Sequence, residues 1–157
     1  TELIKIAKEI TTGLKYLHDK KIIHRDLHSK NILINDGIAM IADFGISKLL
    51  DETSSSSSNV AGIAAYIEPQ CIIQCEQKVK RDKKSDIYSL GVLFWELTSG
   101  VPPFYGLSKF ATWDKIRDYK REKTIAYTPT NYMNLYQKCW SSNPNQRPKL
   151  EWILSEL

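Results

Sequence analysis

An aspartate, a lysine and an asparagine fall within six residues in the stretch His24-Arg25-Asp26-Leu27-His28-Ser29-Lys30-Asn31, and a second aspartate opens Asp43-Phe44-Gly45 twelve residues later. Phosphoryl transfer uses such a set. A carboxylate orients the attacking hydroxyl, a cation meets the phosphate charge, and hard oxygen ligands hold Mg²⁺. Asp26 is the candidate carboxylate. Asn31 and Asp43 are the candidate metal ligands. Alone, each reads as an ordinary turn residue; the ordered set favours the chemistry. Gly45 gives Asp43 and Phe44 backbone freedom to swing. Phe44 reads as a core side chain whose packing sets where Asp43 points, and His24 as a structural core histidine.

Those residues need elements to position them. The apolar positions Leu3, Ile6, Ala7, Ile10, Leu14 and Leu17 form a helical stripe and predict one long helix over 1–18. Ile22-Ile23 is a short buried step into the loop. Ile32-Leu33-Ile34 and 38–42 predict two strands around the Asp36-Gly37 turn, a hairpin that lets Asn31 and Asp43 face one site. Ser54 to Ser58 is an unbroken serine run, expected to be a mobile loop. Ser85 is expected to cap a strongly apolar helix carrying Ile87, Leu90, Leu93, Phe94 and Leu97, stopped by Gly100 and Pro102-Pro103. That helix belongs at the centre of the fold. Further helices are predicted over 110–120 and 132–140, and a last one begins at Pro148 and ends at Leu157.

Composition sets the bounds. The 157 residues suit one compact domain, with 42% apolar and 25% charged residues and a net charge of +4. No apolar run approaches the ~20 residues that cross a bilayer, and no signal-peptide pattern appears. The mild positive charge and the basic stretch from Lys78 to Lys84 read as solvated surface rather than a nucleic-acid patch. Cys71, Cys75 and Cys139 lack a zinc-ligand spacing and read as reduced thiols.

The loop and the Asp43-Phe44-Gly45 segment together resemble the catalytic and metal-binding loops of protein kinases. More of the chain supports the resemblance. Gly62-Ile63-Ala64-Ala65-Tyr66-Ile67-Glu68-Pro69-Gln70 is similar to the substrate-docking segment, Ser85-Asp86-Ile87-Tyr88-Ser89-Leu90-Gly91 to the start of the central helix, and Cys139-Trp140 with Asn143-Pro144-Asn145-Gln146-Arg147-Pro148 to the closing segment. The tyrosine-kinase-like group, with tyrosine-kinase features, is the nearest match.

The resemblance implies a mainly α fold of the α+β kind, the kinase C-terminal lobe, helical with a small β-hairpin. It implies a domain of residues 1–157 comprising that lobe alone, because no room precedes His24 for the smaller β-rich lobe. It implies ATP and Mg²⁺ as cofactors and a protein substrate, with the missing N-terminal lobe as partner, no nucleic acid and no membrane. A cytoplasmic location follows, with a nuclear one left open. Asp26, Lys30 and Asn31 would be catalytic, and Leu33, Asn31 and Asp43 would contact the nucleotide. Asp86 would accept hydrogen bonds from the backbone of the catalytic loop. Arg25 and Lys48 would meet a phosphate on Thr53, Ser54, Ser55, Ser56, Ser57 or Ser58, while His24, Phe44, Gln70, Asp86 and Arg147 support the site.

The departures are informative. His28 stands where serine/threonine kinases place a cation, which here is Lys30 two residues later, and Ile63 replaces a threonine that normally meets that cation. A simple serine/threonine assignment is undercut, and tyrosine remains open. Gln70 replaces the glutamate that pairs with Arg147, so a buried ion pair is expected to become a hydrogen bond. Two other functions stand as alternatives: a non-catalytic binding module or kinase remnant, and a small-molecule phosphotransferase, which shares the aspartate, histidine and asparagine of this loop.

Overall fold

A computed structural model describes residues 1–43, 48–49, 64–73 and 79–157, and for Lys48 and Leu49 only their backbone pairing. Phe44, Gly45, Thr53, Ser54 to Ser58, Ile63 and Cys75 lie outside the described residues. The chain runs α1 (Glu2–Asp19), β1 (Ile22–Ile23), a 3₁₀ turn (Ser29–Asn31), β2 (Ile32–Asn35), β3 (Ile38–Ile41) and β4 (Lys48–Leu49). A second 3₁₀ turn (Ala64–Tyr66) leads into α2 (Pro69–Ile73), α3 (Lys83–Ser99), α4 (Lys109–Arg117) and α5 (Thr130–Cys139), and a third (Pro144–Gln146) precedes α6 (Leu150–Glu156). The expected helical lobe with a small hairpin is the observed architecture.

β2 and β3 pair antiparallel, with Ile32 opposite Ile41 and Asn35 opposite Ile38. Two residues are left for the turn, and both are left-handed: Asp36 at φ 49° and Gly37 at φ 73°. A primed turn of this kind follows the strand twist and suits an Asp-Gly pair. Lys5 Nζ donates to Gly37 O at 2.7 Å and Ala39 N to Glu9 Oε2 at 2.7 Å, so α1 straps the hairpin from beneath.

α3 is the hub. Every residue from Ser85 to Trp95 is buried. Gly91 permits α5 to approach: a Cβ there would stand 2.7 Å from Cys139 Cβ and 2.7 Å from Trp140 N. Tyr132 donates from α5 to Phe94 O at 3.1 Å. α1 adds Ala7, Ile10, Leu14 and Leu17 to the core.

Several boundaries differ from expectation. Asp82, not Ser85, caps α3; its carboxylate accepts from Lys84 N at 2.7 Å and Ser85 N at 3.3 Å, while Ser85 Oγ accepts from Asp82 N at 3.1 Å. The serine is thus the reciprocal member of a capping box rather than its first residue. Pro148 stays outside α6, which opens at Leu150 after Lys149. Leu3 is 41% exposed, and the inward face of α1 is completed by the polar Thr11 and His18. Ile22-Ile23 pairs with β4, placing Ile23 beside Lys48.

Candidate active site

The loop between β1 and β2 is held from below by Asp86 at the start of α3. Its Oδ2 accepts from His24 N at 2.9 Å and contacts His18 Nε2 at 2.8 Å, and its Oδ1 accepts from Arg25 N at 2.8 Å. Asp86 is 1% exposed, so these charge-assisted bonds form away from water, where an unpartnered carboxylate would be costly. Arg25 needs that hold. Its φ of 69° is a left-handed conformation that side chains other than glycine enter at a cost of about 1–3 kcal/mol. Arg81 Nη1 donates to Arg25 O at 2.9 Å and clamps the other side of the same residue.

His24 ties this loop to the residue before Asp43. Its Nδ1 accepts from Asp26 N at 3.3 Å and its Nε2 meets Ala42 O at 3.1 Å, a pattern that fits the tautomer protonated at Nε2. Ala42 N in turn donates to Asn31 O at 2.8 Å. The backbones of Asn31 and of the segment entering Asp43 are therefore bonded together, and Asp43 is itself held left-handed at φ 60°.

Asn31 is buried beneath Asp26. Its Nδ2 lies 2.9 Å from Asp26 O, 3.3 Å from Asp26 Oδ2 and 3.0 Å from His28 Nε2. His28, 6% exposed, also approaches Asp26 Oδ2 at 3.4 Å. Burial holds the His28 imidazole below the ordinary histidine value of 6.5, against the raising effect of Asp26. Lys30 is exposed, yet close enough for its charge also to lower His28. Leu33 is 53% exposed, beside Met40 at 43% and Ile38 at 53%.

The geometry also brings Glu68, Ser85, Ser89 and Glu96 to the residues expected to support the site. Arg147, 1% exposed, keeps a buried ion pair: its Nη1 donates to Glu68 Oε2 at 2.5 Å, and its Nη2 reaches Gln70 Oε1 at 3.2 Å. The expected loss of that ion pair is therefore corrected. Glu68 stands two residues before Gln70 in Glu68-Pro69-Gln70, and its carboxylate takes Arg147 Nη1 while the Gln70 amide oxygen takes Nη2. Ser85 Oγ donates to the other oxygen of Glu68. The signal in the sequence is a glutamate exchanged across Pro69, in Glu68-Pro69-Gln70. Tyr66 donates to Glu96 and its backbone carbonyl accepts from Ser89 Oγ at 2.8 Å, fixing the second 3₁₀ turn to α3.

The chain is similar in sequence to known proteins. The family model described as protein tyrosine and serine/threonine kinase matches residues 1–157. The serine/threonine/tyrosine-protein kinase HT1 of Arabidopsis thaliana is 32% identical over 157 residues, covering 99% of this chain and 39% of that protein. Mitogen-activated protein kinase kinase kinase 12 of Rattus norvegicus is 35% identical over 157 residues, covering 99% of this chain and 17% of the relative. The tyrosine-protein kinase Srms of Homo sapiens is 32% identical over 158 residues, with 99% and 32% covered. The chain spans less than half the length of each of these relatives.

Proposed function

Because this chain belongs to the protein tyrosine and serine/threonine kinase family, we propose that residues 1–157 act as the C-terminal lobe of a catalytic domain that transfers the γ-phosphoryl group of ATP to a protein hydroxyl. The observation that carries this reading is the Asn31 amide. Its Nδ2 is committed to Asp26 and His28, while its Oδ1 has no hydrogen-bond donor among the described residues. A hard oxygen without a protein partner, next to a carboxylate, fits a Mg²⁺ ligand. No cluster of three His, Cys, Asp or Glu side chains suits a metal among the described residues. Mg²⁺ commonly takes one or two protein ligands and completes its shell with phosphates and water, so Asn31 and Asp43 suffice. When bound, Mg²⁺ neutralises charge on the phosphates.

In this reading Asp26 accepts a hydrogen bond from the substrate hydroxyl and aligns it for in-line attack. Lys30 meets the phosphate charge as a flexible point cation. The exposed apolar face of Leu33, Ile38 and Met40 suits the adenine ring and a smaller lobe closing over it. Tyr66, Glu68 and Arg147 fix the segment that receives the protein substrate. His28 and Ile63 weigh against a simple serine/threonine assignment. No helix among the described residues is long and apolar enough to cross a membrane.

Arg25 is proposed as the regulatory contact. Its Nε is buried without a hydrogen-bond partner among the described residues, and Lys48 pairs by its backbone with Ile23, two residues before Arg25. A phosphate on Thr53 or on one of Ser54 to Ser58 would bring about two negative charges to these cations.

Kinase assays of the full-length protein test the main reading. Asp26→Asn keeps the shape and removes the acceptor, so turnover is expected to fall nearly to zero while nucleotide affinity stays close to wild type. Wild-type turnover in that variant would end the assignment.

A further inference from the structure

α5 and the turn that follows it wall a cleft of about 520 Å³, and none of the residues lining it belongs to the loop from His24 to Asn31. The lining carries two cations, Arg121 and Lys138, and the amides of Asn134, Gln137 and Gln146, with no aspartate or glutamate. Asn134 and Gln137 stand three residues apart on one helix face. Both are exposed, and their amides make no hydrogen bond among the described residues.

Arg121 is the anomaly. It is half-buried. Its Nε donates to Trp140 O at 3.4 Å, its Nη1 to Lys120 O at 2.9 Å and its Nη2 to Ser142 Oγ at 3.0 Å. All three acceptors are neutral, and Arg121 makes no ion pair among the described residues. A second guanidinium lies close by. Arg121 Cζ and Arg147 Cζ sit over the same buried Tyr88 ring, 5.2 Å and 5.1 Å from its centre. Arg147 is matched by Glu68, whereas Arg121 has no such partner. Burial holds the Arg121 guanidinium below its ordinary pKa; Tyr88 opposes the shift and the Arg147 charge adds to it. Charges drawn out of water are normally paired.

We propose that this cleft docks an acidic peptide segment of a partner protein, whose carboxylate supplies the counter-ion that Arg121 lacks. A guanidinium has five N–H groups and three are in use, so one remains on each terminal nitrogen. These suit carboxylate oxygens. Lys138, whose Nζ rests 4.4 Å from the centre of the Trp152 ring, brings a second positive charge to the rim. The Asn134 and Gln137 amides each offer a donor and an acceptor to a peptide main chain. The volume favours a peptide over a single inorganic anion, since clefts of about 300–1,000 Å³ take molecules of drug size.

The wall of the cleft is bonded to the support of α2. Ser141 O accepts from Arg147 Nε at 2.9 Å, and Ser142 O accepts from Gln70 Nε2. A partner docked here is thus held next to the side chains that fix the segment proposed above to receive the protein substrate. Tethering of that kind raises the local concentration of the partner at the segment.

Fluorescence anisotropy of a labelled hexaglutamate peptide with the full-length protein tests the site. Hexaglutamate is expected to bind and a hexaglutamine peptide is not. Gln137→Glu places a carboxylate at an exposed lining position, and it should weaken hexaglutamate binding about tenfold or more, as should Arg121→Met. Lys8→Met makes the same change in net charge on the exposed side of α1 and should leave the affinity within about twofold, because distant surface charges are screened. In the wild type, the side-chain amide resonances of Asn134 and Gln137 should shift as hexaglutamate is added, a readout that needs no variant. Failure of hexaglutamate to bind overturns the proposal. So do shifts confined to the basic stretch from Lys78 to Lys84, or equal weakening by Lys8→Met and Gln137→Glu. Inorganic phosphate that displaces the peptide at equal concentration would make the cleft a small-anion site and overturn the peptide as occupant. Every readout is binding, so these outcomes stand apart from the success or failure of the phosphotransfer reading.

Discussion

Asp26 and Asp43 carry the same carboxylate in different surroundings, and their variants should differ accordingly. Asp26 lies against Asn31 and His28, whereas Asp43 follows the strand whose backbone is tied to Asn31. Asp43→Asn is expected to weaken Mg²⁺-dependent nucleotide binding as well as turnover, unlike Asp26→Asn. Isothermal titration with and without Mg²⁺ separates the two, and equal nucleotide affinity in both variants would count against the division of roles. At Arg147 the buried partner is Glu68. Glu68→Ala leaves an uncompensated guanidinium and should cost about 3–5 kcal/mol in urea denaturation. Gln70→Glu would add a second carboxylate beside an Arg147 already paired, so it is expected to destabilise. A double-mutant cycle between Glu68 and Arg147→Met should show strong coupling; zero coupling would mean that the pair is absent in solution.

The elements carry their own tests. α3 and α5 touch at Gly91, where a methyl group would overlap backbone and side-chain atoms of α5. Gly91→Ala is expected to cost about 1–3 kcal/mol through overpacking, read from the shift in denaturation midpoint. Asp82→Ala removes the α3 cap and should cost about 1 kcal/mol. Glu96, midway along the Tyr66 contact, has its carboxyl raised above 4.5 by burial, with a Ser29 hydrogen bond acting in the opposite direction. The folded state therefore binds this proton more tightly than the unfolded one. Its contribution to stability is full below pH 4.5 and is lost as pH rises through the raised folded value. The stability difference between wild type and Glu96→Gln should move in that direction between pH 4.5 and 7. A pH-independent difference would show that Glu96 titrates as in water.

Across the whole molecule, one side of the site faces solvent through Lys30, Leu33 and Asp43. Positioning and water exclusion supply most of the rate in phosphoryl transfer. The 157-residue polypeptide by itself is therefore expected to turn over far more slowly than the ~1 per second of an intact kinase. A clean assay reaching that rate would contradict the proposed dependence on a second lobe. Regulation is testable at the same scale. Replacing Thr53 and all five serines from Ser54 to Ser58 by Ala in the full-length protein should lower activity and abolish its response to phosphatase. Unchanged activity and response would remove the proposed switch.

The sequence by itself determined what is local or periodic. The apolar repeat of α1, the Asp36-Gly37 turn and the apolar run of α3 depend on neighbours a few residues away, and each formed nearly where it was expected. The candidate loop was legible because its chemistry is concentrated in the eight residues His24 to Asn31. Only tertiary structure decided the rest. The β1–β4 pair joins two-residue segments with no periodicity of their own. Glu68 reaches Arg147 across 79 positions, and His18 reaches Asp86 across 68. The partner of a buried charge is chosen by which oxygen the folded backbone delivers within hydrogen-bond distance, and desolvation makes that choice binding. The same physics settles the Asn31 amide: type and spacing make it a candidate ligand, but the Asp26 carbonyl, which only accepts, decides that Nδ2 is the atom facing it.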